Sequence, residues 1–245
     1  MLKCEKLTIE LTSAIEEALG VPAGRLQNAL GLEHKKAAFE SVNALAELAE
    51  AEAASASLSA LPNHLPFERL KMVKYGKEGN EQGVGAHRDG GWITLLSTDG
   101  QPGLQIEDFS GRWLDVPDHP RSILVNFGQQ LERVSGGLIR AATHRVHIHP
   151  SPSGRISIPY FSLPNLRAII VPLNPKTQVS QEVLEAWREA QKTQGESRNS
   201  SVPEGDLHGD TDTEFGQMAW AGLIRSHPAV TQRWHGDQVA TVKAA

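Results

Sequence analysis

From Phe67 onward the chain breaks into short segments of strand character closed by glycine or proline, and this rhythm limits the fold more than any other feature. The segments are ERLKMVKY, WITLLS, GLQIED, RWLDV, SILVNF, HRVHIHP, RISIPYF and AIIVPL, with DGQPG, DFSG, PDHPR, SGG and SPSG among the turns that separate them. Short strands at such spacing indicate an antiparallel sandwich or barrel. Helical patterns flank this block. LTIELTSAIEEALG carries Leu7, Ile9, Leu11, Ile15, Ala18 and Leu19 in partial 3.6 periodicity and stops at Gly20-Val21-Pro22. A second helix is expected over about 35–53, followed by a break through Leu61–Pro66. SQEVLEAWREAQK is helical, and a last helix over about 214–225 is expected to stop before His227-Pro228. The organisation expected is a helical segment 1–66, a β core 67–175, and C-terminal helices 176–245 with a flexible linker at about 192–212.

Composition narrows the class of function. The 245 residues carry a net charge of −5 with pI near 6.1, so there is no global basic footprint for nucleic acid. The sequence has no apolar run of membrane-spanning length, and MLKCEKLTIE lacks a signal-peptide core. Cys4 is the single cysteine, which rules out an intrachain disulfide and suits a reducing, cytoplasmic interior. A metal site would therefore draw on His, Asp and Glu, and ten histidines are available.

The stretch GVGAHRDGG admits three readings: half of a metal site, a kinase-type catalytic loop, or a polar turn. Strand alternation puts His87 and Asp89 on one side and Arg88 on the other. The kinase reading fails because Thr94 stands where an asparagine is needed, and the phosphate-loop reading fails because Arg88 replaces its third glycine. In ATHRVHIHP, His144 shares a face with Val146 and Ile148, so it is the inward histidine, while His147 and His149 face solvent. Two histidines and a carboxylate form the facial set of non-haem iron oxygenases. In RIS, Arg155 and Ser157 share a strand face. A buried arginine needs an anion, which is either a ligand carboxylate or one of the protein's own acids.

Taken in order, H-x-D, H and R-x-S resemble the Fe(II)- and 2-oxoglutarate-dependent dioxygenases of the isopenicillin N synthase-like branch. GVGAHRDGGWITLL is similar to that family's G-x-x-x-H-x-D-x-x-x-x-T-L-L block, and GLQIEDFSGRWLDVP to its G-L-Q-V…G-x-W-x-x-V hairpin. SILVNFGQQLERVSGG, RISIPYFSLP and FGQMAWAGLIRSHP match further blocks. The resemblance implies a double-stranded β-helix, a cupin-like jelly roll. It implies Fe(II) on His87, Asp89 and His144, and the far carboxylate of 2-oxoglutarate on Arg155 and Ser157 with Tyr75 nearby. Phe161 and, more weakly, Trp92 would line a substrate pocket. With O₂ as the other co-substrate, the implied activity is oxidation of a C–H bond in a small metabolite, of the kind met in secondary metabolism, coupled to decarboxylation of 2-oxoglutarate to succinate. Two alternatives are an iron oxidase that does not use 2-oxoglutarate and a non-catalytic relative. Departures from the pattern fall at Val73, Gly76, Gln129 and Arg121, away from the implied ligands. The region before the β block is short for this family, so an exposed sheet edge is expected.

Overall fold

A computed structural model describes residues 2–30, 67–76, 82–119, 121–150, 153–194 and 213–242. The expected helix over 35–53, the break at Leu61–Pro66 and most of the 192–212 linker lie outside these residues. The protein is mainly antiparallel sheet with flanking helices, in the jelly-roll arrangement. One sheet runs β1(Phe67–Leu70), β9(Arg155–Leu163), β4(Ile93–Thr98), β7(Leu124–Phe127), with β2(Val73–Tyr75) also paired to β9. The other runs β3(Gln82–His87), β8(His144–His147), β5(Leu104–Glu107), β6(Trp113–Asp115).

Alternation divides β4 and β9 between two environments. Ile93, Leu95, Tyr160 and the preceding Trp92 are buried in a core shared with α1(Leu2–Leu19) and α2(Arg25–Leu30). Thr94, Leu96, Arg155, Ser157, Pro159 and Phe161 point the other way, into a cavity between the sheets. Each large apolar side chain taken fully into that core contributes about 1.5–3 kcal/mol.

The imperfect apolar period of α1 has a physical cause: Thr8, Thr12 and Glu16 form its most buried stripe. Each is satisfied. Thr8 and Thr12 donate to carbonyls one turn back, and the Trp92 indole N–H donates to Thr12 at 3.3 Å. The Glu16 carboxylate accepts the backbone N–H groups of Gly24, Leu26 and Gln27, and so caps the start of α2. Gly20, at φ 65°, ends α1 in the left-handed conformation that glycine adopts freely.

Three elements differ from expectation. ERLKMVKY divides into β1 and β2, both paired to β9, at the point where Lys71 N–H bonds to the carbonyl of Pro159. Pro159 has no N–H to return, so the ladder breaks there. AIIVPL forms no strand. Ile170 and Leu173 are buried while Ile169 and Val171 are exposed, a strand-like alternation, yet the backbone makes an isolated bridge from Ile169 to Glu214, a turn bond from Ala168 N–H to Asn165 and a bond from Leu173 N–H to Val134, and no ladder. Beyond α3(Gln129–Val134), α4(Pro175–Gln178), α5(Gln181–Gln194) and α6(Phe215–Ser226), the chain continues as α7(Pro228–Val242). The helix expected over about 214–225 does stop before His227-Pro228, and Pro228 then starts a further helix that was not expected, since its missing N–H falls where no intrahelical partner exists. Among the described residues no helix is long and apolar enough to cross a membrane.

Candidate metal centre

His87 is the last residue of β3 and His144 the first of β8, and the two are register partners in the antiparallel ladder. Their rings lie 4.3 Å apart between centroids. Asp89 follows in the loop after β3, so its convergence with His87 comes from the turn and not from a continuing strand. That turn is held tightly. Gln129 N–H bonds to Asp89 O at 2.8 Å and Gln130 N–H to Gly91 O at 2.9 Å. A side chain on Gly91 would meet the Ser162 carbonyl at 2.7 Å, which explains the glycine.

The ligand atoms of His87, Asp89 and His144 all lie within 4.8 Å of one another. Asp89 Oδ1 is 3.7 Å from His87 Nε2 and 3.8 Å from His144 Nε2. Both histidines have Nδ1 against a carbonyl two residues back, Gly85 at 2.8 Å and Ala142 at 3.0 Å. An Nδ1–H donated there leaves each Nε2 lone pair aimed at the common point. Burial, and then the neighbouring His144 imidazole, hold the His87 pKa below its usual 6.5 and keep the ring in the neutral form a metal requires. The other Asp89 oxygen, Oδ2, accepts from Thr94 Oγ1 at 2.6 Å and Asn126 Nδ2 at 2.5 Å. This donor set of two imidazoles and one carboxylate, each fixed from behind, fits a divalent transition metal.

An open cavity extends from this cluster and reaches Arg155, Ser157 and Tyr75. Arg155 is 4% exposed and its guanidinium lies 5.1 Å from the Tyr75 ring centre. Its Nε donates to Gln101 O at 3.3 Å, while one terminal nitrogen is buried with no partner. Tyr75 Oη and Ser157 Oγ lie 3.4 Å apart. A buried cation with an unspent donor and two hydroxyls beside it is a place for an anion.

The other expected site residues separate. Phe161 lines the cavity, but Trp92 is fully buried against α1 on the far side of the sheet and does not. His149 is exposed and His147 half-buried, and neither joins the cluster. Arg88 is not an outward spacer. Its side chain is 4% exposed, with Nη1 3.8 Å from Glu132 and Nε 3.4 Å from Thr143. Thr94 and Asn126 escaped the sequence reading as supports of Asp89. The available signal was their alternation on neighbouring strands, where they are direct register partners. Lys71 also lines the cavity unannounced.

Residues 63–164 match the family described as the 2OG-Fe(II) oxygenase superfamily. The 2-oxoglutarate-dependent dioxygenase frbJ of Dothideomycetidae sp. (strain 11243) is 28% identical over 252 residues, covering 100% of this chain and 58% of that protein. 1-Aminocyclopropane-1-carboxylate oxidase 1 of Cucumis melo is 34% identical over 160 residues, covering 57% and 48%. The crystal structure of JOX2 in complex with 2OG, Fe and JA shares the fold, with a TM-score of 0.54 at 24% identity over 72% of this chain and 43% of that one. The chain thus spans about half the length of these two curated relatives.

Proposed function

Because residues 63–164 match the 2OG-Fe(II) oxygenase superfamily, we propose that the chain is an Fe(II)- and 2-oxoglutarate-dependent oxygenase acting on a C–H bond of a small organic metabolite. The observation that carries this reading is the pairing of two features in one cavity: the convergent His87, Asp89 and His144 atoms, and the buried Arg155 with an unspent donor. His87 Nε2, His144 Nε2 and Asp89 Oδ1 would hold the metal. Arg155, Ser157 and Tyr75 would hold the far carboxylate of 2-oxoglutarate. When bound, Fe(II) with 2-oxoglutarate and O₂ would supply the oxidising chemistry, with 2-oxoglutarate converted to succinate and CO₂.

The protein's own part is positional. Thr94 and Asn126 keep one Asp89 oxygen occupied and turn the other toward the histidines. The Gly85 and Ala142 carbonyls fix the tautomers. Arg155 would anchor the far end of the co-substrate, and apolar walls such as Leu96, Leu104, Ile106 and Val146 would exclude water from the reacting carbon. Phe161 bounds the substrate end of the cavity.

Adding Fe(II) and 2-oxoglutarate without oxygen should give a weak visible charge-transfer band. Arg155→Ala should lose the band at low 2-oxoglutarate, and its retention would refute the carboxylate role. The similarity to an enzyme named as an oxidase supports a second reading, in which iron is used without 2-oxoglutarate. Succinate separates the two, because only the first reaction makes it.

A further inference from the structure

We propose that Lys71, with Arg69 beside it, is a cationic rim that selects organic acids as substrates, a reading that rests on the oxygenase activity proposed above. It starts from two facing rows. Tyr75 and Val73 are register partners of Arg155 and Ser157, Lys71 N–H bonds to the Pro159 carbonyl, and Arg69 pairs with Phe161. Lys71, Val73 and Tyr75 line the cavity from one strand pair, while Arg155, Ser157, Pro159 and Phe161 line it from β9.

The rows give the cavity two ends. Arg155, Ser157 and Tyr75 form the carboxylate end. Phe161 lies opposite Thr94, which donates to Asp89, so the Phe161 end is the one beside the metal ligands. Lys71 and Arg69 flank that end, with the Arg69 guanidinium 5.1 Å from the Phe161 ring centre.

The charges then decide what is left over. Fe(II) and Arg155 are matched by Asp89 and the two carboxylates of 2-oxoglutarate. The remaining charged group of the lining, outside the histidines, is Lys71. Among the described residues its ammonium has no hydrogen-bond or ion-pair partner, and the rest of that wall is largely apolar. A cation on an apolar wall, at the end where the substrate must lie, favours a ligand with an anionic group and a hydrocarbon body.

Isothermal titration of the Fe(II)-loaded protein under anaerobic conditions tests this, with 2-oxoglutarate saturating so that Arg155 is occupied. The probes are matched pairs, 3-phenylpropanoate with 3-phenylpropanamide and hexanoate with hexanamide. Each acid should bind at least about tenfold more tightly than its amide, as expected for one charge-assisted contact. Lys71→Met should erase the preference, Lys71→Arg should keep it, and Arg69→Gln should reduce it severalfold. If Lys71→Met does not fold by circular dichroism, Lys71→Gln takes its place. Equal binding of acid and amide, no binding by either acid, or a preference that survives neutralisation of Lys71 would overturn the proposal. A parallel 2-oxoglutarate titration keeps the two readings apart. Wild-type protein that fails to bind 2-oxoglutarate refutes the oxygenase reading itself, whereas normal 2-oxoglutarate binding without acid preference refutes the rim alone.

Discussion

Thr94 and Asn126 face each other across the β4–β7 ladder and donate to the same oxygen of Asp89. Two strands thereby fix the orientation of one loop carboxylate. Loss of such a support typically lowers metal affinity 10- to 100-fold. Thr94→Val and Asn126→Ala should each weaken Fe(II) or Ni(II) binding about tenfold, and the double variant by more. Competition with a chromogenic chelator measures this, with melts to show that the fold persists.

Arg88 sits between two ligand positions yet points into the protein, tying the end of β3 to Glu132 on α3 and to Thr143, the neighbour of His144. Removing one partner of a buried ion pair leaves the other charge stranded, at a cost of about 3–5 kcal/mol when burial is complete. Glu132 keeps the Ala141 N–H at 2.9 Å and is partly solvated, so Arg88→Ala should cost less, about 2 kcal/mol. The Arg88→Met/Glu132→Gln double variant should recover part of the loss. Urea denaturation of the metal-free proteins gives both values.

Much of this was legible in the sequence because alternation is a local rule. Arg155 with Ser157, and His144 with the buried Val146 and Ile148, followed from counting by two, and the structure holds them as read. Asp89 reached the site by another route, since it lies beyond the strand that carries His87. What stayed hidden depends on partners distant in the chain. Trp92 looked like a pocket residue until α1 covered it through Thr12, and Arg88 looked external until α3 supplied Glu132. AIIVPL has the alternation of a strand but meets only a single bridge partner, at Glu214, and nothing in its own residues reveals that.

The Arg121 backbone is at φ 63°, the left-handed region that a side chain disfavours. A non-glycine residue there costs roughly 1–2 kcal/mol, part of which glycine returns as extra freedom in the unfolded chain. Arg121 is exposed. Arg121→Gly should therefore raise stability by about 0.5–1 kcal/mol in urea melts without changing metal affinity.

His87 sets a pH dependence in the metal-free protein. Its pKa is lowered in the fold by burial and by His144, so the native state resists a proton that the unfolded chain accepts near 6.5. Wherever the unfolded state binds more protons, stability rises with pH. The contribution is therefore complete above about pH 7.5 and is lost as pH falls through the unfolded value toward the lower folded one. Melting temperature of the metal-free protein should drop as pH is lowered from about 7.5 to about 5.5, and His87→Asn should flatten that part of the profile. A metal that binds only the neutral imidazole steepens the dependence, because each protonation then also expels the ion. Parallel melts with and without Ni(II) should converge toward the acid end of the range, and profiles that stayed parallel throughout would refute His87 as a ligand.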